Sequence, residues 1–267
     1  MLKKIINVKL YFVAVFLCAP EFYAQKVTYD FSCMETDNAS WLLNMASDIE
    51  QSTVRSYGES VSLTEEVKLG NQLLVNLKKE YTVYENGEKQ TKLKSILDKL
   101  VSKLNAPRGF SYKIYLMESK ELNAFTCGGK IFITTKMYQF CKSDSELAAI
   151  IGHEIAHNEL KHINDNISRS KTANSFGTVG NMSALIGDLL TTPFNQKNEV
   201  HCDFVGIDLM KKAGYSVCAA TQVWKRMAET EQNNSDYDKF FSTHPYSQTR
   251  RKCCRNHIDS NYNVNCD

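Results

Sequence analysis

The sequence predicts an α+β fold that is mostly helical and carries one small β-sheet. Three observations lead there. Apolar residues recur at helical spacing through most of the chain, over residues 38–56, 64–81, 89–104, 198–212 and 217–231. The period switches to two at residues 110–117, and a second short strand follows at 131–135. A chain of 267 residues can bury one large core and is short for two.

The N-terminus reads as a targeting segment. Lys3, Lys4 and Lys9 precede an apolar run from Leu10 to Ala19, Pro20 breaks it, and Ala24 offers a cleavage point. The run is too short to span a bilayer. The expected organisation is a signal peptide over 1–24 and a single domain over 25–267, exported to the periplasm or secreted. A short N-terminal anchor at the membrane is the alternative. Cleavage would remove Cys18 and leave Cys33, Cys127, Cys141, Cys202, Cys218, Cys253, Cys254 and Cys266. That even number fits an oxidising compartment with some disulfides, and no CxxC pair suggests a cysteine zinc cluster. Net charge is +2 with no basic face, which argues against a nucleic-acid partner.

Each element has local signals. Trp41, Leu42, Met45 and Ile49 mark a first helix, closed by Gly58. Thr64, Glu65 and Glu66 start a second, with Leu69, Leu73 and Leu77 on its apolar stripe. Asn86-Gly87 is a turn, and a third helix ends before Pro107 and Gly109. Two strands and a short helix at 138–141 follow. Ser143 or Asp144 then caps a central helix reaching His162. Residues 165–197, rich in Asn, Ser, Thr and Gly, read as a mobile loop or lid carrying a helix; Asp188 and the glycines exclude a membrane span. A last helix covers 247–257.

The central helix carries the chemistry. His153-Glu154-Ile155-Ala156-His157 has the HExxH spacing. Residues four apart on a helix lie only about 40° apart around its axis. His153 and His157 can therefore share one Zn²⁺, while Glu154, rotated by about 100°, stands beside the metal as a proton acceptor for an activated water. A catalytic zinc needs a third protein ligand. His162, extrapolated along the same helix, falls about 140° from His157 and packs on the far side. Glu199 is the better candidate, presented by a second helix crossing the first. Asp203, four residues on, lies on the same face and could fix the tautomer of a ligand histidine. His201, about 200° from Glu199, faces away.

Four motifs in order resemble one family. They are Asn123-Ala124-Phe125 with Gly128-Gly129, then His153 to His157, then Glu199-Val-His-Cys-Asp203, then His244-Pro245 with Arg250. This set, spanning residues 64–257, is similar to the gluzincin zinc metallopeptidases of the CAAX-prenyl-protease type, in their soluble exported branch. The resemblance implies a zincin-like metallopeptidase domain whose edge strand flanks the HExxH helix. It implies one Zn²⁺ per chain held by His153, His157 and Glu199, with Asp203 behind a ligand. It implies that residues 123–133 pair with an extended peptide, so Asn123, Ala124, Phe125, Gly128 and Gly129 would bind substrate. His244 would stabilise an oxyanion or occupy the open metal position, and Arg250 would pair a carboxylate beneath the site.

Two departures matter: Cys202 stands where the pattern has alanine, and Cys127 where it has an apolar residue. The membrane helices of the prenyl-protease branch are absent from the sequence, which points away from prenylated membrane substrates. The implied activity is endoproteolysis of extended or misfolded envelope polypeptides through a zinc-activated water and Glu154. The alternative is a zinc-stabilised, chaperone-like binding protein with little turnover, which would have no need of Glu154.

Overall fold

Ser62 begins the first described helix with a capping box: its Oγ accepts from the Glu65 backbone N–H, and the Glu65 carboxylate accepts from the Ser62 N–H. This computed structural model describes residues 27–34, 61–174, 186–187, 191–233, 243–245 and 247–266. The expected signal peptide, the expected helix at 38–56 and much of the expected lid lie outside them. Eight helices and four strands are described. In chain order they are α1 (Leu63–Glu80), β1 (Val83–Tyr84), α2 (Glu88–Val101), β2 (Lys113–Met117), β3 (Ala124–Cys127), β4 (Lys130–Thr134), α3 (Thr135–Phe140), α4 (Asp144–Glu159), α5 (His162–Asn174), α6 (Gln196–Lys212), α7 (Cys218–Asn233) and α8 (Ser247–Tyr262). The fold is α+β and mostly helical, as expected.

The sheet order is β1-β2-β4-β3, with β2 and β4 parallel and both outer pairs antiparallel. β3 is thus an edge strand, and it lies beside α4. Alternation sorts the strand side chains into two buried layers. Ile114, Leu116, Ile131 and Ile133 pack into the larger core with α2, α4, α6 and α7. Tyr115, Met117, Cys127 and Phe132 pack against Leu69, Leu73 and Leu77 of α1 and Ile163 and Ile167 of α5. The strand expected from residue 110 starts only at Lys113, because the chain before it is still crossing from α2.

The central helix also ends earlier than expected. Its N-cap is Ser143, whose side chain accepts from Glu146 N–H, but α4 stops at Glu159. Lys161 takes a left-handed φ of 66°, and α5 starts at His162. The turn breaks the angular extrapolation that put His162 on the far side. Residues 165–174 of the expected lid region belong to α5.

Two disulfides, Cys33–Cys253 and Cys218–Cys266, tie the segment at 27–34 to α8 and the start of α7 to the C-terminal residues. Cys127, Cys141, Cys202 and Cys254 are free and buried. Among the described residues no helix is long and apolar enough to cross a membrane.

Candidate metal centre and active site

The site begins with how closely two helices approach. A Cβ on Gly152 of α4 would lie 3.1 Å from Gly206 Cα of α6, and one on Gly206 only 3.0 Å from the backbone N of His153. Larger residues at either position would hold the helices apart. The contact lies next to His153 and about two turns from Glu199, so it carries the Glu199 carboxylate to the HExxH face. Glu199 also sits in the first turn of α6, where the helix dipole favours a negative charge.

Four donor groups converge. His153 Nε2 lies 2.9 Å from His157 Nε2, and Glu199 lies 3.5 Å and 3.2 Å from these two nitrogens. His244 Nδ1 is 3.4 Å from His153 Nε2 and 3.2 Å from both Glu199 oxygens. All four residues are buried. The edge of a tetrahedron with bonds of about 2.0–2.1 Å is about 3.3 Å, so these spacings suit one Zn²⁺ at the centre. The donor chemistry, imidazole nitrogen and carboxylate oxygen, suits zinc as well.

Electrostatics point the same way. Burial and the Arg250 cation both lower the proton affinity of His153, but Glu199 and Asp203 outweigh them and raise its pKa to about 9. The two carboxylates thus favour positive charge at His153, whether a proton or a metal ion supplies it. Burial pushes His157 down to about 3, keeping it out of the imidazolium form that could not ligate. Against the opposing effect of burial, Arg250, His244 and His153 hold the Glu199 carboxyl well below the usual range.

Beneath the donors lies an ion cluster. Asp203 Oδ1 is 3.0 Å from His153 Nδ1, so it can hold that ring with Nε2 toward the centre. Arg250 Nε and Nη2 donate to the two Asp203 oxygens at 2.8 Å each, and Nη1 bonds Glu199. Its guanidinium also rests on the Trp224 ring, 3.6 Å from the centroid. Fully buried Arg250 thus ties α8 to both α6 carboxylates and to α7.

Glu154 sits beside the centre rather than on it. Its carboxyl is buried, which raises its pKa. Among the described residues its Oε1 makes no hydrogen bond, while His244 Nε2 stands 3.9 Å away. Both line a cavity of about 140 Å³ whose walls include Asn123, Phe125 and Thr126 from the edge strand. Leu77, Tyr81, Met117 and Phe194 supply its apolar surface, and Glu80 and Glu121 add negative charge.

Not every expected residue reaches this cavity. Ala124 is fully buried beneath the strand. Gly128 and Gly129 form the β3–β4 turn with φ of 56° and 75°, and a Cβ on Gly128 would meet the Glu66 carbonyl oxygen of α1 at 2.2 Å. Their glycines serve that turn and the packing of α1, and they do not line the cavity. His201 does face away, against Tyr29 and Phe31. His162 does not: its Nδ1 is 3.4 Å from His157 Nδ1, the nitrogen opposite the convergent one.

Sequence reasoning missed Asn158 and Phe194. Asn158 Nδ2 donates to Thr126 Oγ1 at 2.7 Å and its Oδ1 accepts from Gly129 N–H at 3.1 Å, fixing the edge strand beside α4. Asn158 lies in the last turn of α4 among polar residues, and nothing local in the sequence marks it. Phe194 lies on His157, 4.0 Å between ring centroids, and its backbone N–H bonds the Thr243 carbonyl next to His244. Nothing local in the sequence marks it.

A model of peptidase family M48 matches residues 87–257, more than half of the chain. The chain belongs to peptidase family M48. The match is to the M48 family as a whole and does not single out the CAAX-prenyl-protease type. Among M48 relatives, the mitochondrial metalloendopeptidase OMA1 of Schizosaccharomyces pombe is 29% identical over 167 residues, 58% of this chain and 50% of that protein. The β-barrel assembly-enhancing protease of Escherichia coli is 24% identical over 221 residues, 75% of this chain and 45% of its own. Metalloprotease LoiP of the same organism is 26% identical over 188 residues, 66% of this chain and 73% of its own. The chain spans about half the length of the first two relatives.

Proposed function

We propose that this chain is a zinc-dependent endopeptidase that cuts extended or misfolded polypeptides of the cell envelope, working in the periplasm or after secretion. One observation carries the reading: four zinc-type donors meet beside a buried carboxylate whose Oε1 has no hydrogen bond among the described residues, at the wall of a cavity lined by an edge strand. His153, His157 and Glu199 would hold the metal. Zinc supplies a Lewis acid that lowers the pKa of a water and polarises the scissile carbonyl.

The chain's own residues do the rest. Asp203 orients His153, and Arg250 holds Asp203 and Glu199 in register. Asn123 and Phe125 offer the rim of an edge strand along which a peptide could extend, with main-chain hydrogen bonds that do not read side chains. Glu154, raised in pKa by burial, accepts a proton from the attacking water and delivers it to the leaving amine. His244 is the fourth donor in this arrangement, so we read it as the group that yields its place when water and substrate enter. Residues 165–197 act as the lid, a reading supported by Phe194, which covers His157 and walls the cavity. The E. coli relative named for β-barrel assembly supports an envelope substrate.

The test is casein cleavage by zinc-loaded protein and by Glu154→Gln. We expect the variant to keep its zinc and lose about 10²–10⁴-fold in rate. Equal cleavage by both, or none by the zinc-loaded wild type, overturns the protease reading.

A further inference from the structure

Behind the zinc-type donors, a second group of metal-binding side chains closes on the opposite edge of His157. His162 Nδ1 stands 3.4 Å from His157 Nδ1 and 3.3 Å from Cys202 Sγ. The three donor atoms lie within 4.8 Å of one another, and all three residues are buried. Three separate elements bring them together: the last turn of α4, the first residue of α5 beyond the left-handed Lys161, and α6 between Glu199 and Asp203. Donors on a tetrahedral or trigonal shell of about 2.0–2.3 Å are separated by about 3.3–4.0 Å, which the two measured spacings meet.

With His157 Nε2 on the first centre, its Nδ1 is the atom turned toward His162 Nδ1 and Cys202 Sγ. A divalent cation would bind here without adding net charge: the Cys202 thiol proton and the His157 Nδ1 proton would leave for solvent as two positive charges arrive, and His157 would bridge as an imidazolate. Thiolate and imidazole together select borderline-soft ions such as Zn²⁺ and Cd²⁺. Cys202 is the residue that departs from the alanine of the E-x-x-A-D pattern, so this cluster belongs to this chain's own sequence.

We propose that His157 Nδ1, His162 Nδ1 and Cys202 Sγ form a second metal centre that takes a thiophilic divalent cation, Zn²⁺ or Cd²⁺, with the His157 ring bridging the two centres. The proposal shares His157 with the zinc reading above, and counting metal separates the two. Zinc equivalents per chain are measured at saturating free Zn²⁺ for wild type, Cys202→Ala and His153→Ala. Cd²⁺ titration in the near ultraviolet then reports any thiolate-to-cadmium charge-transfer band. We expect two zinc equivalents in wild type, one in Cys202→Ala, and a cadmium band that Cys202→Ala loses. One equivalent in wild type, lost in His153→Ala, overturns the second centre and leaves the first. Two equivalents in both wild type and Cys202→Ala place the extra ion elsewhere and overturn it too. No bound zinc in wild type overturns both centres. Should Cys202→Ala fail to fold, Cys202→Ser takes its place: we expect the cadmium band to vanish, and a retained band overturns the second centre.

Discussion

Helix α6 presents two polar clusters on opposite sides, and they are built on different logic. On one side Asp208 is surrounded by protons. Tyr29 Oη donates to its Oδ2 at 2.7 Å, Tyr262 Oη to its Oδ1 at 2.5 Å, and His257 Nε2 lies 2.8 Å from Oδ1. Asn261 completes this clamp by bonding both backbone groups of Thr28, and Cys33–Cys253 closes it covalently. Every acceptor there meets an N–H or O–H. On the other side three imidazole nitrogens and a carboxylate converge on one point, with the Arg250 guanidinium bonded to Glu199 behind them. Burying donors against donors costs free energy unless a cation sits between them. Hydrogen-bonded pairing around one carboxylate marks a structural clamp, and convergence of imidazole and carboxylate ligand atoms on one point marks a candidate metal centre.

The sharpest break of this contrast is Glu199→Ala. It should abolish zinc binding and lower peptidase activity by at least about 10³-fold, as read by metal analysis and casein cleavage. Retained zinc would remove Glu199 from the centre. Next comes Arg250→Leu, which leaves Glu199 and Asp203 buried without their cation. Urea unfolding of the metal-free protein should show a loss of about 3–5 kcal/mol, and a change under about 1 kcal/mol would mean the ion cluster is not coupled to stability.

Asp203→Asn removes only the partner of His153. Zinc affinity, measured by chelator competition, should fall about 10–100-fold with the fold intact. Asp208→Ala makes the mirror-image test on the clamp. It should cost about 1–3 kcal/mol through unpaired Tyr29, Tyr262 and His257 groups, while zinc affinity stays as in wild type. A shift in zinc affinity there would show that the two sides of α6 are not independent.

The smallest effect is at alkaline pH. Burial, and then Asp208, raise the Tyr29 phenol above its ordinary 10.0, and burial and Asp208 raise Tyr262 likewise. The folded state thus holds these protons more tightly than the unfolded chain. Their contribution is fully present below the unfolded value and is lost as pH rises through the folded one. Urea midpoints should fall above pH 10 in wild type and fall less steeply in Asp208→Ala. Equal slopes would mean Asp208 does not set these phenols.

Some of this was legible because it is local. A four-residue spacing puts His153 and His157 on one face of any helix, Ser143 caps that helix wherever it packs, and Glu199 and Asp203 share a face by the same period. The alternating run over 110–117 announces a strand even though Ile114 to Met117 are all buried. The error at His162 came from trusting that period across Lys161, where one left-handed residue resets the direction of the chain. The tertiary structure alone decided what converges. Gly152 and Gly206 let α4 and α6 approach closely enough for Glu199 to meet the histidines, and the backbone bond from Phe194 to Thr243 anchors the segment next to His244. His244 stands 91 residues from His153 and 45 from Glu199. Helical periodicity says nothing over such separations, because the meeting point of distant segments depends on which surfaces bury best against each other.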